Sequence, residues 1–165
     1  MEPSTELKLP TIAVSVRVAV VGAEPAAAEL FVADVPRLGR SQLLDDLATM
    51  LEGDAGFLPV RNAGIVRLLG KHAMVWIAVK RAQPRPVEDW PEEPSEVITL
   101  YDREYHVEVA LTTGTRLMGQ LLDSSPADRP RAIDHLNRAG RFVRLWTQDE
   151  HFLINKAHIV HVTEV

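Results

Sequence analysis

The chain has 165 residues, of which 46% are hydrophobic and 25% are charged, and its formal net charge is −5. This composition is typical of a soluble globular protein, and the length allows one ordinary domain or two small ones. The absence of cysteine excludes disulfides, cysteine-ligated zinc, iron–sulfur clusters and thiol catalysis. No apolar stretch approaches the roughly 18 residues of a membrane span. Because the acidic N-terminal stretch does not resemble a secretory signal, we expect a cytoplasmic protein.

In the first part of the chain, the pattern predicts two strands, a helix and then further strands. Apolar residues alternate with polar or small ones over residues 12–20 and 28–32, which is typical of half-buried strands. Leucine and methionine then recur at helical spacing over residues 41–51, and Gly53 follows as a stop signal. Three short strands are predicted next, at Phe57-Leu58-Pro59-Val60, Leu68-Leu69 and Met74-Val75-Trp76-Ile77.

An acidic, proline-rich segment follows and divides the chain. Residues 83–96 contain five acidic residues, one arginine and four of the eleven prolines. Proline lacks a backbone donor and like charges favour extension, so we predict a solvated linker over residues 82–97. This linker separates a first β-rich module, residues 10–81, from a second one, residues 98–165. Trp90 lies inside the linker, where it either packs against a module or anchors a partner protein.

The second part of the chain repeats the order of elements in the first. Residues 105–111 and 117–122 predict two strands, with a hairpin turn at Thr113-Gly114. A helix is predicted over residues 128–137. Phe142 to Lys156 then aligns without a gap with Phe57 to Lys71, a spacing of fourteen residues in both cases.

These patterns predict an α+β fold that is mainly β. We expect a tandem duplication of a small module with the order strand, strand, helix, strand, strand, strand. Each half is expected to form its own Val- and Leu-rich sheet beneath a short helix, and the two halves are expected to pack as a pseudo-symmetric pair. Gly70 and Asn155 precede the last strand of each half, where left-handed turns are predicted because these residue types tolerate them best.

Two segments of the second module carry a resemblance to known domains. Residues 113–121 and 152–162 resemble the two strand–turn–strand motifs of Sm-like proteins, within the wider class of SH3-like small β-barrels. The module is also similar to a group of uncharacterised small bacterial domains with an Asn-Lys-Ala-His-Ile stretch, here residues 155–159. The resemblance implies an Sm-like barrel and binding of single-stranded RNA, with Asn155, Lys156 and Lys71 at the last turns. The helix after the second strand is a departure, since Sm-like proteins place theirs before the first.

No constellation of catalytic or metal-binding residues is recognisable in the sequence. Nucleotide-binding glycine loops and nucleophile elbows are missing, and His158 and His161 are spaced to point to opposite faces of a strand. We therefore predict a protein that is not an enzyme and that has no cofactor and no metal.

The favoured interpretation is a protein-interaction or adaptor module that binds another protein through a strand edge, the helix face or the linker. The alternative is the Sm-like RNA binder, although neither module is basic enough to favour nucleic acid. A third hypothesis is a sensor of phosphorylated ligands that uses an arginine cluster. The last strand, Val160–Val165, is a candidate free edge for homo-oligomers. The candidate interaction residues are Trp90, Lys71, Asn155, Lys156, Arg131, Arg141 and Arg144.

Overall fold

A computed structural model describes residues 10–37, 40–81, 103–123, 132–138 and 140–165. The described part of the fold is mainly β and contains two helices, in agreement with the mainly β class that the sequence predicts. The predicted linker, Trp90 and Arg131 lie outside the described residues. The strands are β1 (Thr11–Val20), β2 (Ala26–Ala33), β3 (Phe57–Asn62), β4 (Ile65–Gly70), β5 (Met74–Lys80), β6 (Arg103–Leu111), β7 (Arg116–Asp123), β8 (Phe142–Trp146), β9 (Glu150–Asn155) and β10 (Ile159–Glu164). The helices are α1 (Arg40–Glu52) and α2 (Ala132–Leu136), and 3₁₀ turns span Lys71–Ala73 and Lys156–His158.

All ten strands belong to one antiparallel sheet, with the order β10-β6-β7-β8-β9-β5-β1-β2-β3-β4. The prediction that each half forms its own sheet is therefore wrong. The two halves join where β5 pairs with β9, from Trp76 opposite Ile154 to Lys80 opposite Glu150. The physical reason is that β5 is apolar on both faces, with every residue from Met74 to Val79 buried, which is typical of a central strand.

The pairing registers of the two halves correspond throughout. Val14 faces Leu30 in the β1–β2 pair, and Tyr105 faces Leu121 at the corresponding position of the β6–β7 pair. The irregularity at Val20, which faces Met74, recurs at Leu111, which faces Ile159. The remaining correspondences are Leu30–Val60 with Leu121–Leu145, and Phe57–Gly70 with Phe142–Asn155.

Two hydrophobic cores lie within the sheet, and each one takes residues from both halves. The first core contains Leu44, Leu47 and Leu51 of α1 together with strand residues of the first half. It also includes Leu153 of β9. The second core belongs mainly to the second half but includes Trp76 of β5. Leu153 of β9 packs in the first core and Trp76 of β5 packs in the second. The two halves are therefore held together by apolar burial as well as by backbone pairing.

The turns follow the sequence prediction in one place and depart from it in two. Gly114 has a φ of 84°, as the predicted hairpin turn requires. Gly70 and Asn155 each have a φ of −69°, so the prediction of left-handed turns there is wrong. At Gly70 an added Cβ would lie 2.5 Å from the ring of the exposed His72, so a larger residue there requires that ring to move. At Asn155 the side chain itself accepts a hydrogen bond from the N–H of Ala157.

Candidate functional site

Strand β4 forms one end of the sheet and exposes apolar side chains. In the described sheet it pairs only with β3. Ile65, Val66 and Leu68 are 55%, 54% and 73% exposed, and Phe57 on the adjacent strand is 60% exposed. We call these four residues and the strand that carries most of them the β4 edge. Soluble proteins usually protect such edges with charge, proline or a covering segment.

Strand β10 forms the opposite end of the sheet. In the described sheet it pairs only with β6, and Val160 is 62% exposed. Val165, directly after the strand, is 67% exposed. We call residues 159–165 the β10 edge. Both ends of the sheet therefore combine a strand that lacks a second neighbour in the described structure with exposed apolar side chains.

We call the pairing of β5 with β9 the junction. It shows the positions equivalent to those of β4 when a neighbouring strand covers them. Strand β9 occupies in the second half the place of β4 in the first, because Phe142–Asn155 corresponds to Phe57–Gly70. Leu153 of β9 is only 2% exposed, whereas its counterpart Leu68 is 73% exposed. The difference follows from the neighbouring strand, since β9 has β5 beside it.

Polar contacts reinforce this junction. The carboxylate of Glu52 accepts backbone N–H bonds from Arg141 at 2.7 and 2.8 Å and from Phe142 at 2.8 Å. The buried Asn155 side chain donates to the carbonyls of Lys71 and Met74 at 3.3 and 2.9 Å. These bonds tie the end of α1 and the end of β4 to the second half, and they satisfy backbone groups that the interface removes from water.

Ion pairs also cross the junction. Arg144 contacts Asp45 at 2.7 Å, and Arg17 pairs with Glu150. Each pair joins one residue of each half. Because the Asp45 side chain is 60% exposed, its contribution to stability is small and its main effect is on orientation.

The two lysines that the Sm-like resemblance assigns to RNA are engaged within the protein. The ammonium group of Lys71 donates to the carbonyls of Met50 and Gly53, at 3.0 and 2.8 Å, at the end of α1. Lys156 donates to the carbonyl of Arg138 at 2.9 Å, after α2. A cation at the C-terminal end of a helix satisfies carbonyls that lack a partner within the helix. Lys71 is 4% exposed, so its charge is not presented to an external ligand.

The environment of Lys71 makes stability depend on pH. Burial lowers the pKa of its ammonium group below 10.5; Arg141 lowers the pKa further, and Glu52 and Asp54 oppose the shift. At pH values between the lowered pKa and 10.5 the unfolded chain binds more protons, so the free energy of unfolding rises with pH. We expect Lys71→Met to lose this rise. Denaturant titrations at a series of alkaline pH values test this, and parallel curves for the two proteins would contradict it.

The candidate arginines have separate described contacts. Arg144 is paired with Asp45, and Arg141 donates its backbone N–H to Glu52. Arg131 lies outside the described residues.

A histidine adds a further contact between the two halves. His158 contacts the carbonyl of His72 at 2.8 Å and the hydroxyl of Thr112 at 3.1 Å, so it serves as a further contact between the halves. In the described parts of the chain, no group of three or more histidine, aspartate or glutamate residues is placed to hold a metal ion. Within those same parts, no helix combines the length and the apolar character needed to cross a membrane.

The sequence analysis missed two features of this surface. The β4 edge was detectable, because Ile65, Val66, Leu68 and Leu69 surround one arginine and give a strand that is apolar on both faces. Glu52 was not detectable, because its partners lie about ninety residues away in the sequence and only the pairing of β5 with β9 brings them near. Comparison of the chain with protein-family models, with curated proteins and with solved structures finds no match.

Proposed function

We propose that the chain is a non-enzymatic protein-interaction module that binds polypeptide partners as added β-strands. The observation that carries this proposal is the β4 edge, where an unshared strand edge of the described sheet coincides with Ile65, Val66 and Leu68 in exposed positions. An extended peptide gains main-chain hydrogen bonds from such an edge, and alternate side chains gain apolar contacts. The β10 edge offers a second surface of the same kind.

We further propose that the two halves are copies of one small barrel-like module resembling Sm-like domains. The corresponding registers support this, including the irregularity that β1–β5 shares with β6–β10. The backbone bond from Lys71 to Gly56 also has a counterpart in the bond from Lys156 to Arg141. On this view the module does not act as an RNA binder, since its two lysines are engaged at helix ends.

A selection from a library of linear peptides tests the proposed function. We expect the immobilised chain to enrich peptides in which apolar and polar residues alternate. We expect Leu68→Lys to weaken their binding about tenfold or more, a change worth roughly 1.4 kcal/mol. Ile133→Lys is the matched control, because Ile133 is 58% exposed on α2 and belongs to neither edge strand, and its replacement should leave binding unchanged.

Three results would contradict the proposal. The first is that no peptide is enriched, and the second is that binding is unaffected by a charge at the β4 edge. The third is that the chain retards a pool of single-stranded RNA at low salt and that Lys156→Ala removes this binding, which would favour the RNA hypothesis.

A further inference from the structure

We propose that the second half carries a binding site for a small ligand that combines an aromatic ring with a carboxylate. The site is a depression of about 380 Å³ beside β7 and β8, a volume within the range of small-molecule sites. The side chains that line it include Arg81, His106, Met118, Gln120, Trp146 and Gln148. None of these six residues belongs to β4, so the site is separate from the edge that carries the proposed function.

The depression forms where β7 and β8 separate. The two strands pair only at Gln120 with Trp146 and at Leu121 with Leu145. Beyond this point β7 continues beside β6, whereas the chain after β8 turns away and closes a bond from the N–H of Thr147 to the carbonyl of Glu150. Gly119 lies at the separation, where an added Cβ would be 2.4 Å from the carbonyl oxygen of Trp146. Glycine is therefore required there by the close approach of the two backbones.

A row of three side chains crosses the strands at this place. His106 faces Gln120, and Gln120 faces Trp146. Residues directly opposite one another share a face of the sheet, so these three side chains lie next to one another. Their neighbours along the strands, Val107 and Leu121, are fully buried in the second core. Because side chains alternate along a strand, the row lies on the face directed away from that core.

The corresponding row of the first half has a different chemistry. There Ser15 faces Glu29, and Glu29 faces Arg61. Glu29 and Arg61 form an ion pair with each other, so the charged groups of this row are engaged within the protein. The second half has the same registers but carries the uncharged Gln120 and the aromatic Trp146 at these two places. The row has thus lost its internal ion pair in the second half alone.

Polar groups of the depression are available to a ligand. Among the described residues, the side chains of His106, Gln120 and Gln148 have no hydrogen-bond partner. An amide and an imidazole can each donate and accept hydrogen bonds, so these groups can bind the polar atoms of a ligand. None of the described residues that line the depression is acidic, and Arg81 supplies a permanent positive charge. These surroundings favour a ligand that carries a negative charge.

Contacts within the protein hold the guanidinium group of Arg81 in place before a ligand binds. It donates a hydrogen bond to the carbonyl of Thr147 at 2.9 Å and lies 5.6 Å from the ring centroid of Trp146. The Trp146 ring in turn packs edge-on against His151, with their centroids 4.1 Å apart. A guanidinium has several N–H donors arranged as a fork, so donors remain for the two oxygens of a carboxylate. Because the group is already oriented, binding costs less conformational entropy.

The apolar side chains of the depression account for the aromatic ring of the ligand. Met118 is 62% exposed, and a methionine sulfur makes favourable contacts with aromatic rings. Trp146 offers a ring for stacked or edge-to-face contact. A single guanidinium balances a single negative charge, so a carboxylate suits the site better than a dianionic phosphate. The ligand class is therefore an aromatic monocarboxylate.

A titration of the isotope-labelled chain with phenylacetate, followed by NMR, tests the site. We expect saturable shifts of the side-chain amide signals of Gln120 and Gln148 and of the indole N–H signal of Trp146. The expected Kd is on the order of 1 mM, as suits so small a ligand. Phenylacetamide lacks the charge and acetate lacks the ring, so we expect each to bind at least about tenfold more weakly.

Two variants should weaken the binding of phenylacetate by about tenfold or more, the loss typical of a hydrogen bond to a charged group. Arg81→Gln removes the guanidinium. Gln120→Glu introduces the residue type that the first half has at this place, and its carboxylate repels that of the ligand. Arg61→Gln is the matched control, because it removes a guanidinium that lies 5.2 Å from the ring centroid of Phe31 but does not line the depression. We expect this control to bind as the wild type does.

Several results would overturn the site. One is the absence of saturable shifts at Gln120, Gln148 and Trp146 at about ten times the expected Kd. Another is equal binding of phenylacetate and phenylacetamide, and a third is binding by Arg81→Gln that equals that of Arg61→Gln. The spectra of the free variants show whether each is folded, and the two weakening variants act at different residues, so a failure of one to fold leaves the other as the test.

Discussion

Replacement of Leu153 by alanine is expected to lower the free energy of unfolding by about 2–5 kcal/mol, the range measured for large-to-small changes in cores. Leu153 is 2% exposed and lies in the first core although it belongs to the second half. Its loss leaves a cavity beside Ile77, which is fully buried and directly opposite it. Urea or guanidinium titration of both proteins measures the difference.

The matched control is Leu68→Ala, at the corresponding position of the first half. Because Leu68 is 73% exposed, we expect a change within about 0.5 kcal/mol for this surface substitution. Equal losses at Leu153 and Leu68 would contradict the assignment of one as a junction residue and the other as an open-edge residue.

Replacement of Asn155 by alanine is expected to cost about 2–4 kcal/mol, because it leaves several buried polar groups without a partner. The side chain donates to the carbonyls of Lys71 and Met74 and accepts from the N–H of Ala157. Asn155 is one of two buried polar or charged residues among those described. Water cannot easily reach the backbone groups that would lose their hydrogen-bond partner.

Asn62→Ala is the control for this change. The Asn62 side chain donates one hydrogen bond, to the carbonyl of Ala27 at 2.9 Å, in an exposed position. We expect a loss of at most about 1 kcal/mol there, because water replaces the partner. A cost at Asn155 no greater than that at Asn62 would show that the two halves do not depend on this side chain.

The sequence predicted the strands, the helix and the turn better than it predicted which strands pair. The alternation in β1 and β6, the leucine spacing of α1 and the Thr113-Gly114 turn all lead to the observed elements, because these signals are local. The gap-free alignment of Phe57 to Lys71 with Phe142 to Lys156 also corresponds to the observed registers. These predictions depend on periodicity and turn chemistry, which a short segment carries by itself.

The two halves join through β5, a strand that is buried on both faces, and an alternating pattern does not predict such a strand. The period-two reading treats a strand as having one buried face, and β5 has two. The run from Met74 to Val79 is almost wholly apolar and already indicated a strand covered on both sides. What the run did not indicate is that β9 would be its neighbour, since strands so far apart in sequence meet only through the completed sheet.

At the candidate site, too, the sequence predicts the positions of residues better than it predicts their contacts. Lys71 and Lys156 were singled out because they occupy the same place in each half, beside Gly70 and Asn155, and the structure shows the same correspondence. The roles of Lys71, Lys156 and Asn155 differ from the RNA contact that resemblance implied, because the two lysines bind helix carbonyls and Asn155 bonds across the junction. A sequence motif fixes where such residues lie along the chain but not which groups they face.

Hydrogen exchange at the β4 edge, measured with and without a peptide enriched in the selection, tests the central claim most directly. If β4 is a binding edge, the backbone amides of residues 65–69 exchange rapidly in the free protein and become protected when the peptide is added. The amides of β5 and β9, which are already paired, should remain protected throughout. Exchange at residues 65–69 that does not change when the peptide is added would contradict the account.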